Sequence, residues 1–125
     1  MVTADDVRRI AMALPRTTEG IVRDSVRWRI GRIVYAALSR DETQLGFGFP
    51  KEERVAMIEA EPDKFLMPHP RDLRYRWLEV RLAAIDEDEL RELLTDAWRI
   101  VVSKKTAAQY DAAAGQPGGP VSGAG

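Results

Sequence analysis

Between Thr17 and Pro50 the chain alternates in steps of two, and that alternation restricts its fold more than any other feature. Val26, Trp28 and Ile30 take turns with Ser25, Arg27 and Arg29, as in a strand with one face in a core and one in water. Gly31-Arg32 makes a tight turn into Ile33-Val34-Tyr35-Ala36-Ala37-Leu38. Ser39-Arg40-Asp41-Glu42 is a second polar turn, after which Leu45, Phe47 and Phe49 alternate with Gly46 and Gly48. Those glycines bare the backbone on one face or permit a bulge. Ile21 and Val22 offer an optional short leading strand. The segment reads as an antiparallel meander that must bury one face.

Helical periodicity supplies the cover. Thr3 with Asp6 is an N-cap pattern, followed by Val7, Ile10, Ala11 and Leu14 at helical spacing until Pro15. Pro50 suits a first helical position, with Glu52 and Glu53 against the N-terminal dipole and Val55 and Ile58 as the apolar stripe. Pro62 closes that helix. Phe65-Leu66-Met67 and the alternating run Arg74 to Leu82 then add two strands, separated by the loop Pro68-His69-Pro70-Arg71-Asp72. In the second strand Leu78, Val80 and Leu82 share one face; Tyr75, Trp77, Glu79 and Arg81 share the other. Asp86 caps the last helix with Glu89 three residues on, and Leu90, Leu93, Leu94, Ala97, Trp98 and Val101 form a broad stripe. The stripe weakens at Lys104-Lys105, with room to run on to Ala114. The expected fold is α+β in two layers, an antiparallel sheet with helices on one face, ordered α-β(3)-α-β(2)-α. One domain spans 1–114. Residues 115–125, GQPGGPVSGAG, read as a disordered Gly/Pro-rich tail.

Composition removes several classes of function. A chain of 125 residues without cysteine has no disulfide, no thiolate catalysis and none of the common zinc modules. A single histidine excludes sites that need two imidazoles. No apolar run approaches the roughly 20 residues of a membrane span, and the N-terminus is not a secretory leader. The expectation is a soluble, cytoplasmic monomer or weak dimer, with no cofactor, no bound metal and no membrane partner.

The net charge of −1 hides a segmental pattern. Residues 16–40 carry six arginines against Glu19 and Asp24, and residues 64–82 five basic side chains against Asp72 and Glu79. Residues 50–63 and 83–96 are acidic. The strands are therefore basic and the helices acidic. Arg23, Arg27, Arg29 and Arg32 are the candidate phosphate contacts, with Arg74, Arg76 and Lys104 as extensions; Tyr75 and Trp77 are the candidate stacking residues. A solvated face built for solubility and cross-strand pairing is the alternative reading of the same arginines. Elsewhere ordinary structural roles suffice. His69, held between prolines, reads as a turn residue, Asp86-Glu87-Asp88-Glu89 as helix capping, and Trp98 as core. Gly46-Phe47-Gly48 lacks the rest of a phosphate loop, and Ser25, Ser39 and Ser103 lack a partner that would make a nucleophile.

Taken in order, Ala13-Leu14-Pro15 with Glu19-Gly20, Trp28 to Tyr35, Pro50-Lys51-Glu52-Glu53-Arg54, Phe65 to Pro70, Trp77 to Leu82, and Glu89-Leu90 through Trp98 to Lys104-Lys105 form a composite signature. Over residues 3–106 the chain resembles the MmcQ/YjbR family of small bacterial proteins. The resemblance implies a CyaY-like, secretion-chaperone-like fold. It also implies DNA binding, proposed for the family in a double-wing-like mode, and brings no catalytic motif. The function expected is a non-enzymatic protein that binds DNA through a basic and aromatic sheet surface. The alternative is a protein-interaction adaptor using the open sheet face or an edge strand.

Overall fold

A computed structural model describes residues 1–114, so the proposed tail lies outside the described residues. The chain runs α1 (Ala4–Met12), β1 (Thr17–Val22), β2 (Ser25–Ile30), β3 (Ile33–Leu38), β4 (Gln44–Gly48), α2 (Lys51–Ala60), β5 (Phe65–Leu66), β6 (Trp77–Arg81), α3 (Glu87–Val101) and α4 (Lys104–Ala114). All six strands form one antiparallel sheet in the order β1-β2-β3-β4-β6-β5. The α+β, two-layer expectation holds, with a longer first half: β1 is a full strand of six residues, not an optional stub at Ile21-Val22.

Local chemistry explains the boundaries. Thr3 caps α1 in a full capping box, its Oγ1 accepting from the Asp6 N–H while Asp6 Oδ2 accepts from the Thr3 N–H at 2.9 Å. Asp86 Oδ1 accepts from the Glu89 N–H at 2.8 Å and starts α3 as expected. Pro50 stands at the N-cap of α2 and not at its first position; it contributes no side-chain cap. The last helical stretch is two helices. Ser103 breaks it, because its Oγ accepts from the Thr106 N–H at 3.1 Å and offers the backbone a fresh N-terminus at Lys104.

The core lies between the sheet and the helix layer. Trp28, Ala36, Phe47 and Leu78 stand opposite one another across β2, β3, β4 and β6 and are all fully buried. Leu45, Val80 and Phe65 make the next row. Val7, Ile10 and Ala11 of α1 and Leu90, Leu94, Ala97 and Trp98 of α3 complete the cluster. A bulge between Trp28 and Arg29 gives β3 one extra residue, so that Tyr35 and Ala36 are both buried. The Tyr35 hydroxyl shares a 2.8 Å hydrogen bond with Thr17. Among the described residues no helix is long and apolar enough to cross a membrane.

Candidate nucleic-acid interface

The second face of the sheet is set by the same register. Gly20, Arg27, Ala37, Gly46, Glu79 and Leu66 are successive partners across β1, β2, β3, β4, β6 and β5. They sit one residue out of step with the buried row that contains Trp28, so they look away from the core. Arg29 follows Arg27 on this face, and Trp77 precedes Glu79 on it.

Small residues shape the surface. Ala37 and Gly46 lie between Arg27 and Glu79 and leave a shallow trough about 14 Å wide, three strand spacings. Trp77 folds into it. A Cβ on Gly46 would stand 2.4 Å from the indole Nε1 and 2.8 Å from Cε2 and Cζ2, so only glycine gives the ring this seat. On the other flank the Arg29 guanidinium comes within 3.4 Å of where a Gly20 Cβ would be. Trp77 is half-buried, whereas Trp28 and Trp98 are completely enclosed.

The cations of the two layers behave differently. On the helix side Arg8 pairs with Glu19 at 2.9 Å, Arg9 with Glu87 at 2.8 Å, Lys64 with Glu61 and Glu89, Arg91 with Glu87, and Arg99 with Asp96 and Asp111. Arg23, Arg27, Arg29 and Arg32 have no carboxylate partner among the described residues. Arg27 goes further, since its Nε is buried without any hydrogen-bond partner.

Not every expected site residue joins this surface. Arg27, Arg29 and Trp77 do. Arg23 and Arg32 occupy the hairpin turns at opposite ends of β2, about 20 Å apart along the strand. Arg23 takes a left-handed conformation, φ 53°, and its carbonyl accepts from Arg40 Nε at 3.2 Å. The strand expected from Arg74 begins only at Trp77, because the Tyr75 N–H turns back to the Asp72 carbonyl at 3.0 Å. Arg74, Tyr75 and Arg76 therefore sit in the turn leading into β6, at the Arg32 end of the sheet. Arg74 is spent on Tyr75, with a 2.8 Å hydrogen bond to the hydroxyl and the guanidinium carbon 4.9 Å from the ring centroid. Tyr75 itself is 50% exposed. Lys104 opens α4, which packs through Tyr110 against Trp98 of α3, so it belongs to the helix layer and not to this face.

Two contributors were not singled out from the sequence. Arg54 of α2 donates to the carbonyls of Leu73, Tyr75 and Trp77 at 2.6, 3.1 and 3.2 Å, which fixes the segment that delivers Trp77. Glu79 is half-buried, and its carboxylate accepts no hydrogen bond among the described residues. Burial pushes its carboxyl above the ordinary range, the negative charge of Asp72 adds to this, and Arg71 offsets part of it. His69 has its Nδ1 accepting from the Arg71 N–H at 3.1 Å, a turn cap. Among the described residues no three His, Asp or Glu side chains converge as a metal site.

The sign of the Glu79 shift gives a measurable result. A raised carboxyl pKa means that the ionised form is disfavoured in the fold, so the cost is present above the folded pKa and vanishes below the unfolded one. Glu79→Gln is expected to stabilise the protein at neutral pH by less than about 1 kcal/mol, because part of the group remains in solvent. In thermal melts the advantage should disappear as the pH falls below the carboxylate range.

The model of the YjbR family matches residues 12–100, most of the described domain. The chain belongs to the YjbR family. The match contains β1 to β6, and with them the whole trough of this YjbR domain. Uncharacterised proteins of Mycobacterium tuberculosis and Mycobacterium bovis are each 35% identical to it over 124 residues, covering 84% of this chain and 92% of theirs. The crystal structure of a Deinococcus radiodurans protein with a DUF419 domain superposes with a TM-score of 0.71 at 21% identity, covering 100% of this chain and 96% of that one. That likeness bears on the YjbR fold alone.

Proposed function

We propose that this YjbR-family protein is a non-enzymatic nucleic-acid-binding module, with DNA as ligand, acting through the open sheet face. One observation carries the reading: Arg8, Arg9, Arg91 and Arg99 on the helices are paired with carboxylates, whereas Arg23, Arg27, Arg29 and Arg32 on the sheet face and the turns flanking β2 have no carboxylate partner among the described residues. Surface ion pairs contribute only ~0–1 kcal/mol each, so their absence costs the fold little. It leaves guanidinium groups free for bidentate contact with phosphate. The acidic helix layer lies behind the sheet, so a polyanion approaches from one side only.

The test is fluorescence anisotropy of labelled DNA across a salt series. If Arg23, Arg27, Arg29 and Arg32 all meet phosphates, log affinity should fall against log salt with a slope of about −3 to −4. Arg27→Glu/Arg29→Glu should weaken binding at low salt at least tenfold, roughly 1.4 kcal/mol, and flatten the slope. Absence of binding by the native protein at low salt would remove the proposal. A second reading has its own support: β1 is an edge strand with Ile21 70% exposed, a place where a partner peptide adds a strand. Such binding would persist at high salt and ignore the arginine changes.

A further inference from the structure

We infer that the trough takes single-stranded nucleic acid, with one base stacked on Trp77 and its exocyclic amine donated to Glu79. This rests on the nucleic-acid reading above and specifies its substrate. The trough is polar in direction. Its Arg27 and Arg29 side offers unpaired positive charge, its floor is Ala37, with Gly46 buried under the Trp77 indole, and its far side holds Glu79 on the same face as that indole. A strand laid across it puts phosphates over the arginines and a base over Trp77, with the base edge towards Glu79. The reverse placement sets phosphate against carboxylate.

Glu79 is the group that separates a single strand from a duplex. It is half-buried, and its ionised form is disfavoured where it stands. Its carboxylate, on the same face as Trp77 and without a hydrogen-bond donor among the described residues, is available to a ligand that donates a hydrogen bond. Ionised, it only accepts, and the amine of cytosine is a donor that thymine lacks. In a duplex the bases cover one another's faces, so Trp77 would have to displace a stacked neighbour at a cost the single strand does not carry. Gly46 contributes by giving the indole its place across the sheet, within two strand spacings, about 10 Å, of Arg27.

Intrinsic fluorescence reads the inference directly. Trp28 and Trp98 are 0% exposed, so a change in emission on adding nucleic acid reports Trp77. Native protein is titrated with oligo(dC), oligo(dT) and a duplex of equal length, following tryptophan emission and, in parallel, anisotropy of labelled strands. Oligo(dC) should quench emission and bind at least tenfold more tightly than the duplex, and about tenfold more tightly than oligo(dT), the effect of one hydrogen bond to a charged group. Trp77→Phe should keep the binding and lose the quench. Glu79→Met removes a negative charge and should raise affinity for both oligomers while bringing their ratio to one, so the ratio is the readout. Equal affinity for duplex and single strand, or saturation by oligo(dC) with unchanged emission, would overturn the inference and leave the nucleic-acid reading standing. Equal binding of oligo(dC) and oligo(dT) by the native protein would overturn the role of Glu79. No binding of any of the three at low salt would overturn both readings together.

Discussion

Trp28→Ala is expected to lower stability by about 3–5 kcal/mol, out of the 5–15 kcal/mol typical of a whole domain. Trp28 sits fully enclosed in β2, next to Ala36 and across the sheet from Phe47 and Leu78. Its Nε1 donates to Glu19 Oε1 at 3.0 Å, and Glu19 in turn accepts from Arg8 Nε at 2.9 Å. One side chain thus ties α1, β1 and β2 together, and its removal opens a cavity and unties a half-buried carboxylate at once. The contrast is Trp77→Ala on the opposite face, expected to cost less, about 1–2 kcal/mol, because that side chain is only partly enclosed. Urea denaturation followed by circular dichroism measures both. Similar losses for the two variants would mean that the faces of the sheet are wrongly assigned.

The second large effect is conditional. Gly46→Ala places a methyl group 2.4 Å from the Trp77 ring, well inside van der Waals contact, and should cost about 1–3 kcal/mol with the indole pushed aside. In a Trp77→Ala background the same substitution meets no ring. There it should be neutral or stabilising by ~0.5–1 kcal/mol, since Ala loses less backbone freedom than Gly in a strand. A double-mutant cycle therefore predicts a coupling of about 1–3 kcal/mol between positions 46 and 77. If the cost of Gly46→Ala persists without the tryptophan, the glycine is required by the backbone and not by the ring it seats.

How much was legible in the residues follows from which interactions leave a pattern. The capping box at Thr3, the N-cap at Asp86 and the alternation through Val26, Trp28 and Ile30 are local, and they appear where expected. The order of pieces from Ala13 to Lys105 sufficed for the family and its fold. β1 was hard to see because an edge strand has no duty to alternate: TTEGIV puts Glu19 on the core side, where Trp28 and Arg8 satisfy it. Arg74 to Arg76 alternate like a strand, yet Pro70 and the Asp72 to Tyr75 hydrogen bond hold them in a turn. Lys104 looked like the end of a long helix until Ser103 restarted it. Arg54 belongs to the family signature, but its anchoring role left no trace, since its partners are main-chain carbonyls that carry no residue identity. Arg27 and Arg29 were correctly placed on one face. Their freedom from carboxylates depends on where every acid lies in space, which no spacing encodes.

The bare edge at β1 has a consequence for the protein as a colloid. An unpaired row of amides beside Ile21 and Val22 is a template for a seventh strand from a neighbouring molecule. Arg16 and Arg23 bracket that row, both held at positive φ, and like charge on approaching copies keeps the edges apart. Arg23, one of the proposed phosphate contacts, thus has with Arg16 a second role as a charged guard of the sheet edge. Salt screens this repulsion, so self-association through β1 is expected to grow with ionic strength, opposite in sign to the salt dependence expected of the proposed polyanion binding.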